Sequence, residues 1–363
     1  MRGAAILAVI LLHYTWLSVG WVGVQMFFVL SGFLITTILL GDAHLPFGAY
    51  LKRFYWRRTL RIFPLYFGYL LVLSLVYRIY GEPTDFGRHA PYLFSYLFNL
   101  EFLFDWGTSK ALVFHLWSLS IEEQFYLLWP CVVFLLPRRT LKMLVIALIV
   151  AGPVIRALAV VWLQTINDSP KFVALGSNNL TPCQLDAFAI GAAVALFADK
   201  LSHVGDRAFL AATGFLLVCG QLNSLIVTGS LALDTSFGFP GFLWVGWLHT
   251  WGYSLIDLWS AALLLTALRP STVMSSILSW GPLAYVGKIS YGVYVLHLVT
   301  MQVVLDRFGA AHGLVNLGRF AIYLTALLVI AGLSYRWFET PFLRLKDRAF
   351  PARTPSATPT TAM

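Results

Sequence analysis

Long apolar segments recur along the whole chain, and they constrain its fold more than any other feature. Each is long enough, allowing for tilt, to cross a bilayer core of about 30 Å as a helix. Hydrophobic residues make up 59% of the 363 residues and charged residues only 11%, and a water-soluble core of this size cannot bury so much apolar surface. The sequence therefore predicts an all-α fold, a polytopic transmembrane helical bundle. The ten predicted spans lie near residues 2–19, 21–41, 63–80, 116–136, 141–163, 182–198, 208–228, 241–268, 282–305 and 314–337.

The charges of the loops alternate and so predict an orientation. Residues 42–61 carry a net charge of +4, and residues 81–111 carry a net charge of −2. Basic residues also follow the fourth and the tenth predicted spans. Because lysine and arginine concentrate in cytoplasmic loops, we expect both termini in the cytoplasm. The overall charge of +9 is then a property of these loops, and no nucleic acid partner is expected.

The segments outside the spans are too short for a second folded domain. Residues 1–342 are predicted to form one membrane domain, and residues 343–363 a tail that is first basic and then disordered, because it ends in Pro, Thr and Ala. The three cysteines lie in apolar stretches without the spacing of metal ligands, so no metal site is predicted.

The first span contains an unexpected histidine. Arg2 and His13 are eleven residues apart, so a helix places them on one face and roughly 16 Å apart along its axis. A histidine at that depth either hydrogen-bonds a neighbouring helix or acts as a general base or proton relay. An Arg followed by an apolar run also fits a signal peptide, although no clear cleavage site follows.

Two further segments place polar side chains on one helix face. In HLWSLSIEEQFYLLWP (115–130), His115, Ser118 and Glu122 share a stripe, whereas Glu123 points about 100° away. In YVGKISYGVYVLHLV (285–299), Tyr294 and His297 share a face with Ser290. Both stripes are compatible with a polar interior, and the alternative is an ordinary interfacial position that meets water.

The segment AYLKRFYWRRTLRIFPLY (49–66) is strongly basic. Arg53, Arg57 and Arg61 recur at helical spacing, and Arg58 lies three residues before Arg61. Such a helix commonly touches anionic lipid heads at the interface. The alternative is a cytoplasmic site for a polyanionic cofactor, because arginine binds phosphate in a bidentate way.

Two weaker patterns complete the set. Gly23, Ser31 and Gly32 are small residues that let helices approach closely. Asp186 lies near the start of the sixth span, where it either complements the helix dipole or belongs to a site.

Taken together, these segments resemble the acyltransferase-3 family of membrane O-acyltransferases. The resemblance covers nearly the whole chain, in order, and HLWSLSIEEQFYLLWP is its most specific stretch. In the sixth span the family often has an arginine two residues before Asp186, where this chain has Gln184. The stretches that carry the resemblance are RGAAILAVILLHY, GVQMFFVLSGFLI, RRTLRIFPLY, HLWSLSIEEQFYLLWP, TPCQLDAFAIGA, GKISYGVYVLH and FETPFL.

The resemblance implies an activity and a donor side. Such proteins take an acyl group, often acetyl, from cytoplasmic acyl-CoA and pass it to a hydroxyl of an extracytoplasmic or lipid-linked glycan. The expected co-substrate is therefore acetyl-CoA, and the expected location is the cell (inner) membrane, in contact with lipid. Arg58 and Arg61 would hold the CoA phosphates, with Arg53 and Arg57 beside them and Arg2 near the same end.

The resemblance also implies a catalytic role for His13. His13 would remove the proton from the acceptor hydroxyl, or form an acyl-histidine intermediate, and Glu122 would orient or charge-balance a partner. A glycan transporter or flippase without acyl transfer is the rival interpretation. The residues expected to support the site are His115, Ser118, Asp186, Tyr294 and His297.

Overall fold

Sixteen α-helices make up most of the chain that the structure describes. The structure, a computed structural model, describes residues 1–80, 86–104, 112–201, 203–241, 247–309 and 313–349. No strand occurs in these ranges, and the predicted all-α class is confirmed. The helices are α1 (Arg2–His13), α2 (Val22–Asp42), α3 (Phe47–Tyr80), α4 (Phe86–Phe94), α5 (Trp117–Leu135), α6 (Arg138–Ile166), α7 (Pro170–Asn179), α8 (Leu185–Leu196), α9 (Ala198–Leu201), α10 (Asp206–Thr228), α11 (Leu248–Ala267), α12 (Val273–Leu278), α13 (Gly281–Lys288), α14 (Ser290–Phe308), α15 (Gly313–Leu333) and α16 (Thr340–Ala349).

Five helical segments are long and apolar enough to cross a membrane. The pair α13 and α14 would make a sixth span, although the two helices meet at a bend of 77°. The count of ten spans and the cytoplasmic position of both termini therefore stay predictions. α16 continues to Ala349, and residues 350–363 lie outside the described residues. The single membrane domain and the tail that follows it therefore stay predictions. The five segments are Ser18–Asp42, Phe47–Ile79, Arg138–Ile166, Asp206–Thr228 and Leu314–Lys346.

The first helix is shorter than its predicted span. α1 ends at His13, and Thr15 adopts a left-handed backbone with φ of +64°, so the prediction of a continuous span to residue 19 is wrong. Tertiary contacts account for the break. The ring of Tyr14 packs against Trp16 and Phe320, and its hydroxyl donates to Asn316 Oδ1 at 3.1 Å. His13 therefore lies at the end of a short helix.

Small residues bring α2 close to α1 and α8. A Cβ atom added to Gly23 would lie 2.3 Å from the carbonyl oxygen of Ala5, and one added to Gly32 would lie 2.1 Å from that of Phe188. These distances leave no space for any side chain, so the predicted close approach is confirmed at both glycines. α2 thus lies between α1 and α8 and can present side chains to both.

A buried ion pair connects α6, α8 and α11. Arg156 is 0% exposed, and its guanidinium binds Asp186 through two hydrogen bonds of 2.8 Å. Arg156 Nε also donates to the carbonyl oxygen of Thr250 at 3.0 Å, and Ser254 donates to Asp186 Oδ2 at 2.6 Å. Asp186 therefore does not need an arginine at position 184, because α6 supplies its partner.

Candidate active site

One internal cavity is lined by arginines and is here called the arginine cavity. Its empty space amounts to about 690 Å³, including the part that is open to the surroundings. α1 contributes one arginine, α3 contributes two, and α2, α5 and α14 complete the wall. Its polar lining includes Arg2, Arg58, Arg61, Ser31, Glu122 and Tyr291.

Hydrogen bonds fix the carboxylate of the arginine cavity. Tyr126 donates to Ser31 Oγ at 2.9 Å, and Ser31 donates to Glu122 Oε1 at 2.8 Å. The guanidinium carbon of Arg58 lies 3.8 Å from the centre of the Tyr126 ring, in cation–π contact. The side chains of Glu122 and Arg58 are therefore held by α2 and α5 before any ligand binds.

The arginine cavity has an excess of positive charge. Three guanidinium groups line it against the single carboxylate of Glu122. Arg58 Nε is buried and donates to no group among the described residues. A cavity with spare guanidinium donors and net positive charge is suited to an anionic ligand with several phosphate oxygens.

A second cavity is lined by histidines and aromatic rings and is here called the histidine cavity. Its empty space amounts to about 1000 Å³, including the part that is open to the surroundings. Among the described residues that line it, none is Asp, Glu, Lys or Arg, so its wall is neutral when the histidines are neutral. Its lining includes His13, His115, Trp21, Trp117, Gln25 and Asn178.

Three histidine rings cluster at the wall of the histidine cavity. The ring centre of His297 lies 5.0 Å from that of His13 and 4.7 Å from that of His115. Among the described residues, no group of three or more His, Cys, Asp and Glu side chains is arranged to hold a metal ion.

Backbone carbonyls determine which nitrogen of two histidines carries hydrogen. His115 Nε2 lies 3.2 Å from the carbonyl oxygen of Val295, and His297 Nδ1 lies 2.5 Å from that of Tyr294. A carbonyl oxygen can only accept, so both nitrogens are N–H donors. In the neutral rings His115 Nδ1 and His297 Nε2 are then lone-pair acceptors. Both are buried, with no partner in the described part of the chain.

Tyr294 lines both cavities and separates them. Its hydroxyl donates to the carbonyl oxygen of His115 at 2.7 Å and lies 2.6 Å from Ser118 Oγ. Ser118 Oγ also lies 3.3 Å from the same carbonyl oxygen, so either hydroxyl can donate in the contact between the two. Ser118 faces the arginine cavity and His115 the histidine cavity, so this group of three residues is the boundary between them.

Eight of the twelve predicted site residues line the two cavities. The four that do not are Arg53, Arg57, Asp186 and His297, of which His297 packs against His13 and His115. Arg53 and Arg57 line neither cavity, and Arg53 Nε lies 3.1 Å from Asp42 Oδ2. Arg57 lies about one helical turn before Arg61 on α3, yet of these arginines only Arg58 and Arg61 line the arginine cavity. Asp186 also lines neither cavity, because Arg156 holds it between helices.

Several residues at these sites were not predicted from the sequence. Gln25 and Asn178 line the histidine cavity, and Tyr291 lines the arginine cavity. Gln25 and Arg156 are polar or charged residues inside apolar segments, which is the signal by which both could have been found. For Asn178 and Tyr291 the sequence gives no comparable signal.

Comparison with known proteins assigns the chain to the same family that its sequence motifs resemble. A family model described as an acyltransferase domain, Acyl_transf_3, matches residues 1–336. The chain belongs to this family. The resemblance predicted from its motifs is thus confirmed, and the arginine and histidine cavities are features of an acyltransferase domain.

Curated relatives of this acyltransferase domain are named as O-acetyltransferases. A peptidoglycan O-acetyltransferase, OatA, of Listeria monocytogenes is 31% identical over 360 residues, which are 94% of this chain and 54% of that protein. An O-acetyltransferase OatA of Staphylococcus aureus is 28% identical over 96% of this chain and 57% of that protein. A putative peptidoglycan O-acetyltransferase, YrhL, of Bacillus subtilis is 29% identical over 97% of this chain and 55% of that protein. The chain thus spans about half the length of the curated relatives it matches. No solved structure is detectably similar to it.

Proposed function

We propose that this chain is a membrane O-acetyltransferase that moves an acetyl group from acetyl-CoA to a hydroxyl of a glycan. The observation that carries the proposal is the pair of cavities that meet at Tyr294, one cationic and one neutral with a histidine in its wall. The names of the relatives, which include peptidoglycan O-acetyltransferases, support acetyl as the group and a glycan as the acceptor.

The arginine cavity is the proposed donor site. CoA has several phosphate charges, and Arg2, Arg58 and Arg61 supply guanidinium groups that match them. Glu122 holds Arg58 in place by charge and keeps the cavity from being purely cationic. The pantetheine arm of CoA is thin and uncharged, so it can extend from the arginines toward Tyr294. With the basic loops in the cytoplasm, acetyl-CoA enters from that side.

The histidine cavity is the proposed acceptor site, with His13 as the general base. His13 takes the proton of the acceptor hydroxyl as its oxygen attacks the thioester carbonyl carbon. The C–S bond then breaks, and the departing thiolate takes the proton from His13, which leaves CoA thiol and an acetyl ester. In the alternative sequence, His13 first receives the acetyl group itself and then passes it on.

His297 supports His13 in this reaction. The two ring centres lie 5.0 Å apart, and the lone pair on His297 Nε2 has no partner among the described residues, so it would accept an N–H of His13 if the rings draw together during the reaction. Arg2 and His13 lie at opposite ends of α1, roughly 16 Å apart by helix geometry. One short helix therefore joins the donor site to the base.

The experiment that tests the proposal is acetyl transfer by the chain in lipid nanodiscs. Acetyl-CoA labelled in the acetyl group is supplied with peptidoglycan-derived glycan, and label is counted in the glycan before and after mild alkali, which cleaves esters. Alkali-labile label in the glycan, absent with His13→Ala at equal protein level, is expected. Equal labelling by His13→Ala would overturn the role of the base. In sealed vesicles, glycan movement without covalent label would identify a transporter instead.

A further inference from the structure

An unpaired amide oxygen lies in the wall of the histidine cavity. Gln25, on α2, is 1% exposed and lines this cavity. Its Nε2 donates to Gln184 Oε1 at 3.0 Å, whereas its Oε1 is buried and has no partner among the described residues. A buried acceptor left unpaired costs about 1–3 kcal/mol, so this oxygen calls for a ligand that donates a hydrogen bond.

A neighbouring carbonyl fixes the direction in which this amide points. Gln184 Nε2 donates to the backbone oxygen of Asn178 at 2.8 Å, and a carbonyl oxygen can only accept. The opposite end of the Gln184 amide is therefore its oxygen, which receives Gln25 Nε2. Turning the Gln25 amide over would bring two oxygens together. The relay from Asn178 through Gln184 thus leaves an acceptor, and not a donor, as the unpaired end of the Gln25 amide.

Gln184 is free for this role because Asp186 has its own partner. The two guanidinium hydrogen bonds from Arg156 satisfy Asp186. An arginine at position 184 would have only donors and would occupy the oxygen of Gln25. With glutamine at 184, Gln25 keeps its oxygen available, and the wall stays uncharged.

The rest of the cavity indicates the kind of ligand that donates. Trp21, Phe114 and Trp117 line it, and aromatic rings pack against the C–H faces of sugars. The described lining has no Asp, Glu, Lys or Arg, which favours a neutral ligand over an anionic one. We propose that Gln25 Oε1 accepts a hydrogen bond from a hydroxyl or an acetamido N–H of a neutral sugar unit, and that Gln25 thereby determines acceptor specificity. The inference rests on the proposed function, because it takes the histidine cavity as the acceptor site.

Binding of two tetrasaccharides to the chain in nanodiscs tests the inference without any need for transfer. Chitotetraose has an acetamido group at C2 of each sugar, and cellotetraose has a hydroxyl there. Gln25→Met preserves the length of the side chain and removes the acceptor, so its Kd rises about two- to tenfold, as expected for one neutral hydrogen bond. A rise for chitotetraose alone identifies the N–H as the donor, and an equal rise for both sugars identifies a hydroxyl.

The matched control is Gln124→Met. Gln124 lines neither cavity, and its amide bonds to Tyr96, Asn99 and Thr181, so both tetrasaccharides are expected to bind as in the wild type. Gln184→Met is the second variant, which leaves Gln25 in place but removes the group that directs it, and a smaller rise in Kd is expected.

Unchanged Kd values in both Gln25→Met and Gln184→Met would overturn the inference, as would a wild-type chain that binds neither sugar. A wild-type chain that binds the sugars with Gln25-dependent affinity, yet transfers no acetyl group, would overturn the proposed function and leave the assignment of Gln25 standing.

Discussion

The arginine cavity and the histidine cavity are built by the same helices but select ligands in opposite ways. α1, α2, α5 and α14 contribute to both, either directly or through adjoining turns. The arginine cavity offers guanidinium charge, which acts on any polyphosphate within reach. The histidine cavity offers individual lone pairs at fixed positions, such as Gln25 Oε1 and the nitrogens of its histidines.

Under the proposed function, the arginine cavity supplies most of the affinity for the donor, and the histidine cavity selects the acceptor. Charge-assisted hydrogen bonds are roughly twice as strong as neutral ones, so most of the affinity for a donor would come from the arginine cavity. Neutral, directed acceptors contribute less energy but distinguish ligands by where their hydrogens lie. An acyltransferase with two such cavities can use one common donor while the residues that line the acceptor cavity vary. Substitutions in one cavity should therefore leave the other unaffected.

The largest effect is expected for His13→Ala, which removes the base from the histidine cavity alone. Acetyl transfer should fall by about 10²- to 10⁴-fold, the usual contribution of a general base, while the KM for acetyl-CoA stays unchanged. His44→Ala is the control, because His44 is exposed on the turn after α2. Steady-state transfer measured against acetyl-CoA concentration checks this, and a raised donor KM would show that the two cavities are not separate.

Asp186→Asn should change stability and leave both cavities as they are. Removing one partner of a buried ion pair costs up to about 3–5 kcal/mol, because Arg156 then loses the carboxylate that binds it and keeps only the electrostatic interaction with Asp257. The expected result is a lower unfolding temperature in nanodiscs, with unchanged KM values for the fraction that remains folded. A specific rise in either KM, without loss of stability, would return Asp186 to the site.

Arg58→Ala should weaken the donor side and spare the acceptor side. The loss of one charge-assisted contact of about 1.5–3 kcal/mol predicts a rise of the KM for acetyl-CoA by roughly 10- to 100-fold. Arg57→Ala is the matched control from the same helix, since Arg57 does not line the cavity. The helical spacing of the arginines predicts that Arg57 acts together with Arg61, whereas the structure leaves Arg57 outside the cavity. An equal effect of the two substitutions would favour a diffuse basic surface over a defined arginine cavity.

Sequence patterns predicted the helices and most of the residues that line the two cavities, but not the partners of the buried polar side chains. Ionisable residues in apolar segments are rare, so His13 and Glu122 could be recognised from their positions alone. Partner choice depends on how helices lie against one another, and the sequence near Asp186 gave no indication of Arg156, 30 residues earlier on α6. Helix packing likewise leaves Gln25 Oε1 without a partner among the described residues, and the sequence gave no indication of this.

Periodicity also failed where a tertiary contact overrode it. The apolar run through residue 19 continues the pattern of α1, but the packing of Tyr14 on Phe320 and Tyr323 and its bond to Asn316 end the helix at His13. All three of these partners follow Tyr14 by some 300 residues in the chain. No local pattern could therefore predict that His13 would lie at a helix end and face a cavity.

The smallest effect is expected for His297, which acts on the histidine cavity through His13. Its Nδ1 donates to the carbonyl oxygen of Tyr294, so its Nε2 carries the lone pair, and its ring centre lies 5.0 Å from that of His13. His297→Leu removes this acceptor and should lower kcat by about two- to tenfold, the value of one neutral hydrogen bond, with both KM values unchanged. His297→Gln places an amide oxygen near the position of Nε2 and should restore most of the rate. If His297 only filled space, leucine would serve as well as glutamine, and the two variants would have the same kcat.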